Sequence, residues 1–286
     1  MQRITKAVIP AAGFGTRFLP ATKAQPKEML TLVDKPVIQY VVEEAVASGI
    51  KDIIIITGQS KRAIEDHFDR NLELESRLRR EGKRRALKEI QRLAHLANFI
   101  YIRQPEPLGD GHAVLEAYSL LKNEPFAMLY GDEIIQSDSP CLAEVIKVYE
   151  EFLAPVITVT KVPRDHVTRF GIIGGEQIRP NLHRVTKFIE KPSLANAPSR
   201  LANIGRAIIT PGLLKVLRGI KVKPGKELRV ADAFEPYRKK HPLYAYTHSG
   251  TRLDCGDQIG FLKATVEMGL MHAELKAPFR QYLKKV

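Results

Sequence analysis

Two hydrophobic periods alternate along the first 130 residues. Residues 7–10, 52–57 (DIIIIT), 99–103 (FIYIR) and 126–130 (FAMLY) are apolar runs too short for helices and rich in β-branched or aromatic side chains. They predict buried strands. Between the strands the spacing becomes helical. PVIQYVVEEAVAS puts apolar residues at 37, 38, 41, 42, 45 and 46, with Pro36 at the start and Gly49 at the end of the predicted helix. SKRAIEDHF reads as a helix capped by Ser60, and GHAVLEAYSLLK as a third, apolar at 113, 114, 117, 120 and 121. The β-α-β-α-β-α-β order predicts an α/β fold, a mostly parallel, doubly wound sheet with helices on both faces.

The second half is less regular. Residues 155–162, 184–192, 203–211 and 243–248 read as strands, and 211–218, 228–240 and 257–276 as helices. With no linker, low-complexity run or repeat, residues 1–286 are expected to form one domain with β extensions in its C-terminal half.

In such sheets ligands sit beyond the carboxyl ends of the strands. Three polar segments follow predicted strands there: AAGFGTRFLPATKAQPKEML (residues 11–30), QPEPLGDGH and GDE. Convergence of the three on one crevice is expected. In the first, Gly13 and Gly15 permit close backbone approach, and successive N–H groups can cradle an anion. Arg17 adds a forked phosphate donor, and Lys23 and Lys27 add point charges. A plain βα turn with solvated cations has the same composition. The segment matches neither the P-loop nor the GxGxxG pattern.

Asp132 and Glu133 close a strand, where a carboxylate can hold Mg2+ against phosphate oxygens or simply cap a turn. Asp254 in RLDCGD is a second ligand if the fold brings it to Asp132, and Asp257 reads as the N-cap of the last helix. Adjacent Glu190 and Lys191 of FIEKP face opposite ways in a strand, so they meet one ligand only if the backbone bends there.

Net charge is +13, of which residues 77–92 carry +6 on eight basic and two acidic side chains. That stretch reads as a solvated amphipathic helix. It interleaves no aromatics for base stacking, so no nucleic-acid partner is expected. No apolar run approaches the roughly 18 residues of a membrane span, and no signal segment opens the chain, so no membrane partner is expected either. Cys141 and Cys255 fit no metal spacing, which points to a reducing, cytoplasmic setting.

With PKEML, LVDKPVIQYVVEEA, KRAIEDHFD, QPEPLGDGHAV, FGII, FIEKP and DCGD, the GxGTR loop resembles the sugar-phosphate nucleotidyltransferases, and among them the bacterial UTP–glucose-1-phosphate uridylyltransferase branch. The resemblance runs from about residue 5 to 270. It implies a Rossmann-like nucleotidyltransferase sheet, with residues 1–155 mainly binding nucleotide and 156–286 mainly binding sugar and supplying the C-terminal helix. It implies transfer of a uridylyl group from UTP to glucose 1-phosphate, with Mg2+, in a homodimer or homotetramer. Carried over by position, Arg17, Lys27, Asp132 and Lys191 are catalytic. Ala11, Ala12, Gly13, Gly15, Thr16, Glu28, Gln104 and Gly109 bind nucleotide. Gly171, Glu190, Lys191 and Gly205 bind the sugar phosphate, and Asp132 and Asp254 hold the metal. Glu28 is also open to a role pairing a neighbouring cation. The chain departs from the family pattern at Asp110 (PLGDGHA for PLGLGHA), Ala207 (GRAII for GRY), and Arg229 and Ala231 (ELRVAD for a Gln and a Thr).

Overall fold

A computed structural model of the chain describes residues 3–285. Strand β1 (Lys6–Pro10) leads through the polar loop and a small hairpin, β2 (Thr31–Leu32) with β3 (Lys35–Pro36), into helix α1 (Val37–Ala47). There follow β4 (Asp52–Thr57), α2 (Arg62–Phe68), α3 (Leu72–Arg80), α4 (Arg84–Ala94), β5 (Asn98–Arg103), α5 (Asp110–Glu116), α6 (Tyr118–Leu121), β6 (Phe126–Leu129), β7 (Glu133–Gln136) and α7 (Cys141–Phe152). The remainder is β8 (Val156–Lys161), β9 (Gly171–Arg179), β10 (Leu182–Glu190), β11 (Leu201–Ile209), α8 (Pro211–Arg218), α9 (Phe234–Arg238), β12 (Tyr244–Thr247), β13 (Thr251–Asp254), α10 (Gln258–Met271) and α11 (Lys276–Leu283).

Nine strands form one sheet in the order β5-β4-β1-β6-β11-β8-β12-β10-β9. Strands β5, β4, β1 and β6 are mutually parallel. Only β11 and β10 oppose the common direction. DIIIIT is a buried strand, as its apolar run predicts: Ile53 and Ile55 pack into the core on one face, beside α1 and α7, while Ile54 and Ile56 pack into the core on the other, beside α5 and α8. Helices thus cover both faces, as the sequence predicts. No helix of the described residues is long and apolar enough to cross a membrane.

Several elements differ from expectation. Ser60 does not cap α2: it has a left-handed φ of 66°, and the helix starts after Lys61 with no side-chain cap. The basic stretch 77–92 is two antiparallel helices, because Gly82 (φ 70°) ends α3 in the conformation glycine favours. The final helix stops at Met271; the His272 Nδ1 then accepts from the Glu274 and Leu275 amides and redirects the chain into α11. Residues 228–240 contain only a short 3-10 turn and the five-residue α9. Strand β9 lacks a sequence signature because only its first three residues are buried, and the rest, GGEQIR, carries two glycines and a single apolar side chain. Strands β7 and β13 were also unforeseen, and their antiparallel pairing sets Asp254 opposite Glu133.

Candidate active site

The three loops meet as predicted. They enclose a cavity of about 540 Å3 lined by Ala12, Gly13, Gly15, Thr16, Arg17, Lys27 and Glu28 from the first, Gln104, Gly109 and Asp110 from the second, and Asp132 from the third. Arg229 and Gly256 complete its wall.

Local geometry explains several of these residues. Gly15 has φ 66°, and a Cβ there would press on the Lys27 side chain at 3.1 Å and on Thr22 at 3.3 Å. The Thr22 hydroxyl donates to the Gly15 carbonyl at 2.8 Å. The long loop is therefore folded back on itself, with Lys27 laid against the glycine turn. Lys27 Nζ reaches Asp132 Oδ2 at 2.5 Å. Burial works to lower the Lys27 pKa, but the Asp132 and Glu28 charges outweigh it and the net shift is upward. Burial would likewise raise Asp132, and Lys27 holds it below its ordinary value. Both groups are charged at neutral pH.

Asp132 and Asp254 converge. Asp254 Oδ1 lies 3.0 Å, and Asp132 Oδ2 3.1 Å, from the point a Gly256 Cβ would occupy. The Cys255 amide donates to the Asp132 carbonyl at 2.9 Å, tying the two strand ends together. Arg17 Nη1 donates to the Gly256 carbonyl at 3.1 Å, so its guanidinium stands beside the two acids. Asp254 is held by the Gly256 amide (2.9 Å) and by Arg252 (3.0 Å). Arg252 also grips Glu133 at 2.7 Å, and Glu133 Oε2 accepts from the Gly205 amide at 3.0 Å. Asp257 is the N-cap of α10, accepting from Gly260 N at 2.8 Å, as predicted.

Glu28 is 1 % exposed and paired with Lys61 at 2.9 Å, the neighbouring-cation role, while it also lines the cavity. Ala11 is buried and its amide extends the β1–β4 pairing to the Ile56 carbonyl. Gln104 donates to the Gly109 carbonyl (3.1 Å) and meets His112 Nδ1 (3.0 Å), which fixes its side-chain amide.

The other sequence-selected residues lie outside this cavity. Gly171 and Glu190 are cross-strand neighbours on β9 and β10, and a Cβ on Gly171 would come within 2.8 Å of Glu190 Oε2. Gly205 on β11 leaves room for Glu133 in the same way, at 2.8 Å. Lys191 is exposed with φ 46°, which is the bend the FIEKP reading required.

Sequence reasoning missed the polar layer beneath the cavity. Arg206 is fully buried, bound to Glu44 of α1 (2.5 Å) and to the carbonyls of Gly205 and Glu133. A lone arginine inside the apolar strand LANIGRAII was the available signal, since such a group is buried only when paired. Tyr130, whose hydroxyl donates to Asp110 at 2.7 Å, had no signal beyond its place before GDE.

A nucleotide-sized cavity at parallel strand ends, walled by a glycine loop and two cations and flanked by a carboxylate pair, defines a nucleotide-handling enzyme. The nucleotidyl transferase family model matches residues 6–269, and the chain belongs to that family. Over its whole length it is 49 % identical to the Bacillus subtilis UTP–glucose-1-phosphate uridylyltransferase YngB, covering 96 % of that protein. It is similar to the UTP-bound UGPase from Acinetobacter baumannii (39 % identity, TM-score 0.91, 99 % of each chain). It is also similar to a UDP-glucose pyrophosphorylase complexed with UDP-glucose (37 % identity, TM-score 0.86, 94 % of this chain and 100 % of that one).

Proposed function

We propose that this protein transfers the uridylyl group of UTP to glucose 1-phosphate and releases pyrophosphate. The observation that carries the reading is the Arg17, Lys27, Asp132 and Asp254 cluster at one end of the cavity. Similarity to the UTP-bound and UDP-glucose-complexed enzymes supports it.

The nucleophile needs no activation. Glucose 1-phosphate carries an ionised phosphate oxygen at neutral pH, so no serine, cysteine or histidine need be deprotonated. That oxygen attacks the α-phosphorus of UTP in line; the new P–O bond forms as the bond to the β-phosphate breaks, and pyrophosphate leaves with the electron pair. The obstacle is repulsion between anions, and positioned cations lower it. Arg17 takes the leaving phosphates and Lys27 the α-phosphate. The main chain of Ala11–Gly13 and the fixed amide of Gln104, with Gly109, hold the nucleoside. Gly13 has nothing within 4 Å of its would-be Cβ, so the space beside it is open to a ligand. Gly171, Glu190 and Gly205 line the sugar, and Lys191 meets its phosphate.

The donor set fits a divalent cation. Two carboxylates converge beside Gly256, where a side chain would fill the gap. The described residues offer no group of three His, Cys, Asp or Glu for an all-protein site. Mg2+ takes one or two carboxylates and completes its octahedron with water and phosphate oxygens. Asp132 and Asp254 would hold it, and it would supply charge neutralisation at the phosphates. Assembly into a homodimer or homotetramer belongs to the same reading.

Pyrophosphate release measured across four nucleoside triphosphates and several sugar 1-phosphates tests the proposal. UTP with glucose 1-phosphate is expected to be the fastest pair. A higher rate with dTTP would make the enzyme a thymidylyltransferase. Inversion at a chirally labelled α-phosphorus is expected for direct attack, and retention would exclude it.

A further inference from the structure

Two of the departures from the family pattern, Asp110 and Arg229, are 119 residues apart in sequence and meet at one edge of the cavity. The segment 108–111 is hydrogen-bonded to the segment 228–230. Leu228 N donates to the Leu108 carbonyl (2.8 Å), Gly111 N to the Leu228 carbonyl (2.9 Å) and Val230 N to Asp110 Oδ1 (2.9 Å). Asp110 Oδ2 accepts from the Tyr130 hydroxyl at 2.7 Å. Arg229 N donates to Asp232 Oδ2 at 2.8 Å. Arg229 is therefore fixed on both sides by its neighbours. Gly109 allows the close seam: its φ is 103°, and a Cβ would sit 2.2 Å from the Leu228 carbonyl.

From that fixed backbone the Arg229 guanidinium reaches Glu190 Oε1 at 2.8 Å. Glu190 Oε2 lies against Gly171. One carboxylate oxygen is thus gripped by a cation and the other rests against bare backbone. About a third of each side chain in the pair is exposed, 36 % for Arg229 and 28 % for Glu190. Pairs this open add at most about 1 kcal/mol to stability. The pair therefore matters for where it puts the carboxylate rather than for holding the fold. Each carboxylate oxygen has two acceptor directions, so Glu190 remains able to accept sugar hydroxyls while Arg229 holds it.

We propose that Arg229, locked by Asp110 through the Val230 amide, is a positioning residue that aims Glu190 at the acceptor sugar and so sets affinity for the sugar 1-phosphate more than for UTP. The inference rests on the proposed uridylyl transfer and adds to it a residue outside the set assigned there. Arg229 acts through Glu190, so its effect vanishes when the Glu190 carboxylate is gone.

Steady-state kinetics of wild type, Arg229→Gln, Arg229→Lys, Glu190→Gln and the Arg229→Gln/Glu190→Gln double variant test it. Arg229→Gln is expected to raise KM for glucose 1-phosphate roughly tenfold, the scale of one charge-assisted hydrogen bond, with KM for UTP changed less than about twofold. Arg229→Lys recovers part of the loss, because an ammonium keeps the charge but not the fork. The double variant is no worse than Glu190→Gln alone. An unchanged KM for glucose 1-phosphate in Arg229→Gln, or additive losses in the double variant, overturns the proposal. Equal rises in both KM values do so too, marking a general loss of structure, and the UTP-induced shift in melting temperature reports folding independently. If the wild type itself shows no turnover with these substrates, the proposed function fails instead, and the two failures are distinct.

Discussion

Two charge clusters lie within a few residues of one another along β7, β11 and β13, and they are built oppositely. In the buried one, Arg206 and Glu44 are sealed from water and every guanidinium nitrogen has a protein partner. At the cavity, Lys27 and Asp132 line the wall and Asp254 stands beside them, and the three side chains stay 21–31 % exposed. Removing two ions from water is costly unless all their bonds are made. The first cluster meets that condition within the protein alone. The second keeps solvent access, and so keeps capacity for a charged ligand. Burial and saturation, rather than charge itself, distinguish a structural ion pair from a binding one.

The comparison fails if the two clusters respond alike to substitution. Arg206→Met leaves Glu44 buried without its partner and is expected to cost about 3–5 kcal/mol of unfolding free energy. Denaturant titration measures this, and a loss under about 1 kcal/mol would remove the distinction. Asp132→Ala is expected to do the reverse. Its rate of pyrophosphate release should fall at least about 100-fold, with a smaller loss of stability than Arg206→Met, because Lys27 keeps about a quarter of its side chain exposed when its partner is removed. A near-normal rate in Asp132→Ala would end its proposed metal role.

Asp110 sharpens the contrast, and its expected effect is the smallest. It is a cavity-edge acid with a hydroxyl and an amide as partners, and burial pushes its carboxyl above the ordinary 3.8 despite those bonds. The folded chain then holds this proton to higher pH than the unfolded chain does. The stabilisation is complete below pH 3.8 and is lost as pH rises through the folded value. The melting temperature of wild type relative to Asp110→Asn should therefore decline from pH 4 upward. A constant difference would mean that Asp110 titrates normally.

What the sequence made legible was local. Strand runs, helix stripes, the glycine loop and the Asp257 cap depend on neighbours a few residues away, and the fold realises them. The convergence of the loops followed from the parallel order, because carboxyl ends of parallel strands share one edge. Glu44 with Arg206 (162 residues apart) and Arg229 with Glu190 (39 apart) depend on how distant segments pack, which no local period encodes. Strand β9 has no apolar run because its outer half is exposed and glycine-rich, and the basic stretch keeps one helical pattern across the single glycine that breaks it.

The place of β11 in the sheet has a consequence for how the chain is made. Strand β6 is apolar and buried throughout, and one of its two sheet neighbours, β11, begins at residue 201. While the intervening 71 residues (130–200) are still being synthesised, a nascent chain presents β6 as an open apolar edge, and Glu44 lacks its arginine. Unpaired apolar edges of that kind recruit other strands. A polypeptide interrupted before residue 201 therefore carries an exposed adhesive border, whereas one that reaches residue 209 closes it with a strand of its own.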